Sequence, residues 1–316
     1  MNIQISRGEL LSALQSVIGV VERRQSLPVL GNLLLEAKDD LLSLTGTDLE
    51  LQVERKVRIQ NLVPGRITAP ARKLHDICRG LPEGAMLSLE YADNKLTLKS
   101  GRSRFSLATL PAEEFPVFAT DPTDIQLELS NRELKDLLAR TQFAMAQQDV
   151  RYYLNGIYLH HAKGAKGNVL RAVATDGHRL ALAETEAPKG AAALKGVIVP
   201  RKAVAEVRRL LDDAPEIVTV EASDSKIVFR VGEAVLTSKL IDGSFPDYQR
   251  VIPKDNTRIL TIDTRLFKDA VDRVATVSAE RSRSVKLSIS AGKLTLAVTH
   301  SESGNGVEDV EADYDA

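Results

Sequence analysis

Apolar residues recur along this chain with two different periods. In five segments Leu, Val, Ile or Ala return every three or four residues, which is the spacing of a helix with one buried face. Each segment follows a residue that favours a helix start, either a capping Ser or Asp or a Pro. These start residues are Ser6, Pro70, Ser130, Pro200 and Asp263. The predicted helices cover 7–18, 71–81, 131–141, 201–211 and 264–274.

Between the helices, apolar and polar residues alternate in short runs, which is the period of a strand with one buried face. Such runs cover 41–47, 49–59, 86–91, 95–100 and 104–110. Each unit is therefore predicted to be one helix with several antiparallel strands. The predicted fold class is α+β, built from repeated units of this kind.

The units also repeat at a longer distance. Segment 70–116 resembles 199–246, and Thr47-Asp48 matches Thr175-Asp176. The start at Ser6 recurs at Ser130 and at Asp263, so a domain holds two helices with their strands. The predicted domains are 1–121, 122–253 and 254–316, and we expect the third to lack its second helix unit.

Composition and charge narrow the class of protein. The 316 residues include one cysteine, Cys78, so no disulfide within the chain is expected. No secretory signal pattern and no apolar run of about 18 residues occurs, which favours a cytoplasmic protein. The formal net charge is −1, but the predicted helices carry more Lys and Arg than Asp and Glu. This surplus indicates either a phosphate-backbone surface without sequence preference or ordinary solvated helix faces.

No phosphate-binding loop, nucleophile elbow or zinc-ligand pattern is present, so we expect no cofactor and no metal. The most enzyme-like string is Thr175 to Arg179, in which Asp176 and His178 could act as acid and base. An Asp-Gly turn between two strands is the favoured alternative. The adjacent Tyr152 and Tyr153 either fill core space or contact nucleic acid.

Several long strings carry a family resemblance. They are SLPVLGNLLLE (26–36), SLTGTDLEL (43–51), CRGLPEG (78–84), SGRSRFSLATLPAEEFP (100–116), QDVRYYLNG (148–156), ATDGHRLA (174–181), VIVPRK (197–202) and SKLIDGSFPDYQRVIP (238–253). With them the chain resembles the bacterial DNA polymerase III beta subunits, the sliding clamps, up to about residue 300.

The resemblance implies a DNA-clamp fold in a head-to-tail ring of two protomers, with helices lining the inside and sheets outside. It implies a non-catalytic processivity factor that encircles duplex DNA and tethers the polymerase. The implied partners are duplex DNA, the polymerase III alpha subunit, the clamp loader and clamp-motif peptides of replication and repair proteins. Relatives continue for about one more helix–strand unit, so the chain resembles a C-terminally incomplete member.

The resemblance also implies roles for individual residues. The implied DNA contacts are Arg24, Gln148, Tyr152 and Tyr153. The implied groove for partner peptides uses Leu154, Thr175, Gly177, His178, Arg179, Leu180, Pro246, Arg250 and Val251. The implied dimer interface includes Lys73, Phe105, Leu107, Thr276 and Val277. Ser282 falls where relatives can place a larger apolar wall.

Two other functions remain open at this point. A chain without its last unit could be a monomeric clamp fragment that acts only as a peptide-binding module. An enzyme that uses Asp176 and His178 would depend chemically on that histidine, whereas a clamp would need it only for partner binding.

Overall fold

The computed structural model describes residues 1–22, 27–119, 123–278, 284–300 and 304–314. The α-helices in these ranges are α1 (Arg7–Val17), α2 (Ala71–Gly80), α3 (Asn131–Thr141), α4 (Arg201–Leu210) and α5 (Thr264–Ala275). Each helix begins directly after its predicted start residue, so all five predicted helices are confirmed. None of the described helices is long and apolar enough to cross a membrane.

The helix starts follow from local hydrogen bonding. The hydroxyl oxygens of Ser6 and Ser130 and the carboxylate of Asp263 each accept a backbone N–H in the first helical turn. Ser130 forms a full capping box, because the Glu133 carboxylate in turn accepts the Ser130 backbone N–H at 2.9 Å. These hydrogen bonds satisfy N–H groups that a helix leaves without internal partners.

The strands before Pro116 are β1 (Asn2–Ser6), β2 (Asn32–Lys38), β3 (Leu41–Thr47), β4 (Leu51–Arg58), β5 (Gln60–Val63), β6 (Gly65–Pro70), β7 (Met86–Ala92), β8 (Lys95–Ser100) and β9 (Ser103–Ala108). Those that follow are β10 (Ile125–Ser130), β11 (Gly156–Gly164), β12 (Gly167–Thr175), β13 (Leu180–Glu186), β14 (Val197–Pro200), β15 (Ile217–Ala222), β16 (Lys226–Val231), β17 (Ala234–Lys239), β18 (Lys286–Ser290), β19 (Lys293–His300) and β20 (Gly304–Glu311). Each of the five runs predicted as strands overlaps one, and the α+β class is confirmed.

The strands form four antiparallel sheets. Their orders are β5-β1-β7-β8-β9, β10-β15-β16-β17-β4-β3-β2-β6, β13-β12-β11-β14 and β18-β19-β20. The eight-stranded sheet joins the first two predicted domains, because β17 from the second pairs with β4 from the first. Leu236 lies opposite Val53 in this pairing, and both side chains are fully buried.

The chain divides into two units, Met1–Phe245 and Pro246–Ala316. In the first unit one continuous apolar cluster includes the buried faces of α1 to α4. In the second unit α5 packs through Ala270 and Val274 on the sheet β18-β19-β20. The shared sheet places both full repeats in one unit, so this division does not separate the first two predicted domains. The predicted boundaries at 121/122 and 253/254 stay predictions.

Candidate nucleic-acid and partner-binding sites

The turn between β12 and β13 presents His178 at the surface. The Oδ1 atom of Asp176 accepts the backbone N–H groups of His178 and Arg179, each at 3.0 Å. Gly177 has a φ of +87°, a conformation that glycine adopts without strain. The predicted Asp-Gly turn is therefore confirmed.

The carboxylate of Asp176 is engaged in holding this turn. Its other oxygen accepts the Nε–H of Arg179 at 3.0 Å. Burial raises the pKa of Asp176, but the two N–H groups and the Arg179 guanidinium outweigh this and hold the pKa below its usual value. A carboxylate so held is a poor proton acceptor. Among the described residues no group of three or more His, Cys, Asp or Glu could hold a metal ion.

The first repeat contains the same turn. Thr47 donates to the Leu51 carbonyl and accepts the Leu49 N–H, as Thr175 donates to the Arg179 carbonyl and accepts the Gly177 N–H. Asp48 accepts two backbone N–H groups, as Asp176 does. The match between the Thr-Asp pairs predicted from the sequence is thus a match of hydrogen bonds.

Arg151 connects this turn with the segment that holds the candidate DNA contacts. Its guanidinium donates to both carboxylate oxygens of Asp149, at 3.0 and 2.8 Å, and to the Asp176 carbonyl at 3.3 Å. The pairing with Arg151 lowers the pKa of Asp149 to about 2. A Cβ on Gly177 would lie 3.0 Å from the guanidinium, so the glycine also lets Arg151 approach.

The sequence predictions left out Arg151 and Phe143 as site residues. The Arg179 guanidinium lies 5.6 Å from the centre of the exposed Phe143 ring, a distance typical of a cation–π contact. The Asp149-to-Arg151 spacing is a local signal that sequence reasoning could have used. The approach of Phe143 to Arg179 depends on tertiary structure and leaves no such signal.

Three of the four candidate DNA contacts lie in one short segment. Tyr152 and Tyr153 lie in a 3₁₀ turn, with edge-to-face rings whose centres are 5.8 Å apart. Tyr152 is 58% exposed and so does not fill core space. Gln148 is exposed and has a φ of +54°. Arg24 lies outside the described residues.

The candidate peptide-contacting residues fall in both units. In the first unit Leu154 is buried, Thr175 and Leu180 are half-buried, and Gly177, His178 and Arg179 are exposed. In the second unit Pro246, Arg250 and Val251 are exposed, and Arg250 pairs with Asp247 at 2.8 Å. Ser282 lies outside the described residues.

The candidate dimer-interface residues lie on helix ends and a sheet edge. Lys73 is exposed on α2, while Phe105 is half-buried and Leu107 is buried on β9. β9 is an edge strand, with β8 as its neighbour among the described strands. Thr276 and Val277 follow directly after α5 in the second unit.

Three family models match consecutive parts of the chain. They describe the N-terminal, central and C-terminal domains of the DNA polymerase III beta subunit, and they match residues 1–119, 128–247 and 249–316. The beta sliding clamp of Caulobacter vibrioides NA1000 is 51% identical over 317 aligned residues, which cover 100% of this chain and 85% of the relative. That of Escherichia coli K12 is 43% identical, over 99% of this chain and 85% of the relative.

Solved structures of sliding clamps are also similar to this chain. Caulobacter crescentus pol III beta matches with a TM-score of 0.94 at 52% identity, over 100% of this chain and 85% of that one. The Bartonella birtlesii sliding clamp bound to griselimycin matches with a TM-score of 0.96 at 42% identity, with the same coverage. The DNA-clamp fold and the resemblance found in the sequence are thereby confirmed. The chain belongs to the DNA polymerase III beta subunit family, and it is a DNA sliding clamp of replication, a non-catalytic processivity factor.

Proposed function

We propose that two copies of this chain join head to tail into a ring around duplex DNA in the bacterial cytoplasm. The observation that carries the proposal is the pairing of β17 with β4, which joins two repeats through one sheet. A head-to-tail joint between copies can reuse that pairing, with β9 in the place of β17 and β20 in the place of β4. Such an interface closes into a ring if the rotation per protomer is right.

The interface in this proposal has two sides. Phe105 and Leu107 on β9 supply apolar contacts on one side, with Lys73 beside them on α2. Thr276 and Val277 supply the opposite side from the second copy. The partial exposure of Phe105 supports this role, because a second strand that covers an edge strand removes the remaining apolar surface of the ring from water.

The DNA contacts in this proposal are weak and indifferent to sequence. Gln148, Tyr152 and Tyr153, with Arg24, contact the phosphate and sugar backbone. Phosphate contacts position a protein without reading bases, and weak contacts permit sliding. The basic surplus of the helices supports the same role.

The partner sites in this proposal bind short linear peptides from the polymerase III alpha subunit, the clamp loader and repair proteins. The residues that would bind them are Leu154, Thr175, Gly177, His178, Arg179 and Leu180 of the first unit, and Pro246, Arg250 and Val251 of the second. The first set supports this role because a fixed turn presents His178 and Arg179 beside the half-buried Leu180.

Retention on DNA tests the ring. The chain is loaded onto nicked circular DNA with a clamp loader, and retention after gel filtration is compared with retention on linear DNA of the same sequence. We expect retention on the circle and loss from the linear DNA, because encirclement is topological. Equal loss from both contradicts the ring, and sedimentation as a monomer of 34.5 kDa at all concentrations supports the peptide-binding fragment instead.

Peptide binding is tested separately with His178→Ala and a fluorescent clamp-motif peptide. We expect weaker binding, because the substitution removes a side chain exposed at the turn. The matched control is Lys166→Ala, an exposed turn position just before the first residue of β12. An unchanged affinity for His178→Ala, or an equal loss in the control, contradicts the assignment.

A further inference from the structure

The joint between the two repeats of the first unit includes a helix contact beside the paired strands. Arg209 on α4 donates from Nη2 to the Ser16 carbonyl at 2.7 Å and from Nη1 to the Gln15 carbonyl. These two carbonyls lie in the last turn of α1, where a helix leaves its C=O groups without internal partners. A cation is also favoured at this negative end of the helix. Arg209 therefore caps the C-terminal end of α1 from the neighbouring repeat.

Glu206 fixes Arg209 in this position. Its Oε2 atom accepts from Nε of Arg209 at 3.1 Å and from Nη2 at 2.6 Å. The same carboxylate lies against Gly19, where a Cβ would overlap it. A side chain at position 19 would therefore displace the Glu206 carboxylate from this position. We call this arrangement the Glu206–Arg209 clasp.

Helix α2 carries an acid and an arginine at the same two positions, and there the pair is exposed. Both α2 and α4 follow a proline, and their sixth and ninth residues are Asp76 and Arg79 in α2 and Glu206 and Arg209 in α4. Arg79 Nη2 lies 3.4 Å from Asp76 Oδ1. The Asp76 and Arg79 side chains are 61% and 68% exposed, whereas those of Glu206 and Arg209 are 13% and 37% exposed.

The strand beside this uncovered pair repeats the strand of the joint. After α2, strands β7, β8 and β9 follow as β15, β16 and β17 follow α4. Aligned from their first residues, Phe105 of β9 corresponds to Leu236 of β17. Leu236 is fully buried against β4, while Phe105 remains half-buried. The surface of α2 and β9 is therefore one half of the joint without its other half.

The other half of the joint recurs in the second unit. Aligned on their capping residues Ser6 and Asp263, helices α1 and α5 bury the same face. In this alignment the carbonyls of Asp272 and Arg273 replace those that Arg209 binds, and Thr276 replaces Gly19. Thr276 is exposed within the described part of its unit.

We propose that Asp76 and Arg79 of one copy form a second clasp over the end of α5 in another copy, and that the length of the acid selects the partner. Asp76 is one methylene shorter than Glu206, and it would face Thr276, which is larger than Gly19. The longer side chain of Glu206 has room beside Gly19, and the shorter side chain of Asp76 would have room beside Thr276. This inference rests on the proposed ring and names residues that determine its joint.

Charge differs between the two joints. In the joint within the chain Arg209 meets the neutral Gln15 and Ser16, whereas Arg79 would meet Asp272 and Arg273. Asp272 pairs with Lys268 at 2.8 Å and Arg273 pairs with Glu308 at 2.5 Å. Because both charges already have partners on the second unit, the match of size carries the proposal.

The strand positions show a second match of size. When β3 and β19 are aligned from their first residues, Gly46 corresponds to Val298. Gly46 lies opposite Val53 on β4, and Val298 lies opposite Gly306 on β20. Leu236 lies opposite Val53 within the chain. Phe105 would accordingly lie opposite Gly306 of the other copy. Phe105 is larger than Leu236, and Gly306 is smaller than Val53, so the two changes in size compensate.

A double-mutant cycle on dimerisation tests the acid length. Asp76→Glu is expected to raise the dimer dissociation constant about tenfold or more, because the longer acid overlaps Thr276. Adding Thr276→Gly is expected to restore the dissociation constant to within about threefold of the wild type. The matched control is Asp136→Glu, at the sixth and exposed residue of α3. Sedimentation across protein concentrations measures each constant, and circular dichroism checks the fold.

The outcomes separate this inference from the proposed ring. If Asp76→Glu dimerises like the wild type, or if Thr276→Gly gives no rescue, the clasp between copies is wrong. If the wild type is retained on circular DNA while the cycle is additive, the ring stands and the clasp falls. If the wild type is a monomer at every concentration, both fall. Arg79→Ala is expected to weaken the dimer even with Thr276→Gly present, because its loss removes the guanidinium that would bind the Asp272 carbonyl. The Arg273 carbonyl already accepts the Thr276 backbone N–H at 3.2 Å.

Discussion

Leu236 and Phe105 occupy corresponding positions on β17 and β9. Truncation of Leu236 should reduce the stability of the single chain, and truncation of Phe105 should mainly reduce the association of two copies. Leu236 is 0% exposed and lies between β16 and β4 in the eight-stranded sheet. Leu236→Ala leaves a cavity at this joint, and large-to-small substitutions at buried leucines cost about 2–5 kcal/mol. Because rigid strands on both sides limit collapse, we expect about 3 kcal/mol of lost unfolding free energy.

Urea unfolding followed by far-ultraviolet circular dichroism measures this loss at two protein concentrations. We expect the Leu236→Ala loss to be the same at both, because the contact lies within one chain. Phe105→Ala is the matched comparison, since its ring is half-buried. Phe105→Ala is expected to cost the isolated chain about 1 kcal/mol and to weaken the proposed dimer strongly. A Leu236→Ala loss below about 1 kcal/mol, or one that disappears on dilution, refutes the reasoning.

Three further predictions concern single residues. Burial raises the pKa of the Cys78 thiol to about 12, so a thiol reagent should modify it slowly in the native protein and quickly in urea. Ser130→Ala should cost about 1 kcal/mol at pH 7. The Ser130 hydroxyl and N–H hold the pKa of Glu133 below its usual value, so this cost should be full above pH 5 and shrink as the pH falls below about 4. Lys202→Ala should cost about 1 kcal/mol, because it leaves the nearly buried Asp48 carboxylate without its cation.

The pH dependence of Lys202 checks the last prediction further. Burial lowers its pKa, but hydrogen bonds to Asp48 and Glu22 outweigh this and raise it. Its contribution should therefore be full below about pH 10 and be lost as the pH rises through the folded-state pKa. Fast native modification of Cys78, a pH-independent Ser130→Ala cost, or a neutral Lys202→Ala would each contradict the corresponding assignment.

Local patterns predicted the elements of this fold closely. The apolar spacing and the start residues placed all five helices, because caps and periodicity act within one or two turns. Alternation placed five strands between residues 41 and 110 for the same reason, and the Asp-Gly turn at Asp176 followed from residues that hydrogen-bond their own neighbours. The family resemblance then supplied the candidate site residues as a set.

The sequence by itself determined the repeated α+β unit, the helix starts and the clamp family, because each is written in local spacing or in long matching strings. Only the tertiary structure decided that β17 crosses to β4 and that Arg209 closes the end of α1, contacts between residues almost 200 positions apart. It also decided that the Glu206 carboxylate lies in the space beside Gly19. Such pairings depend on the shape and burial of two surfaces that meet only after folding, and no local pattern records them.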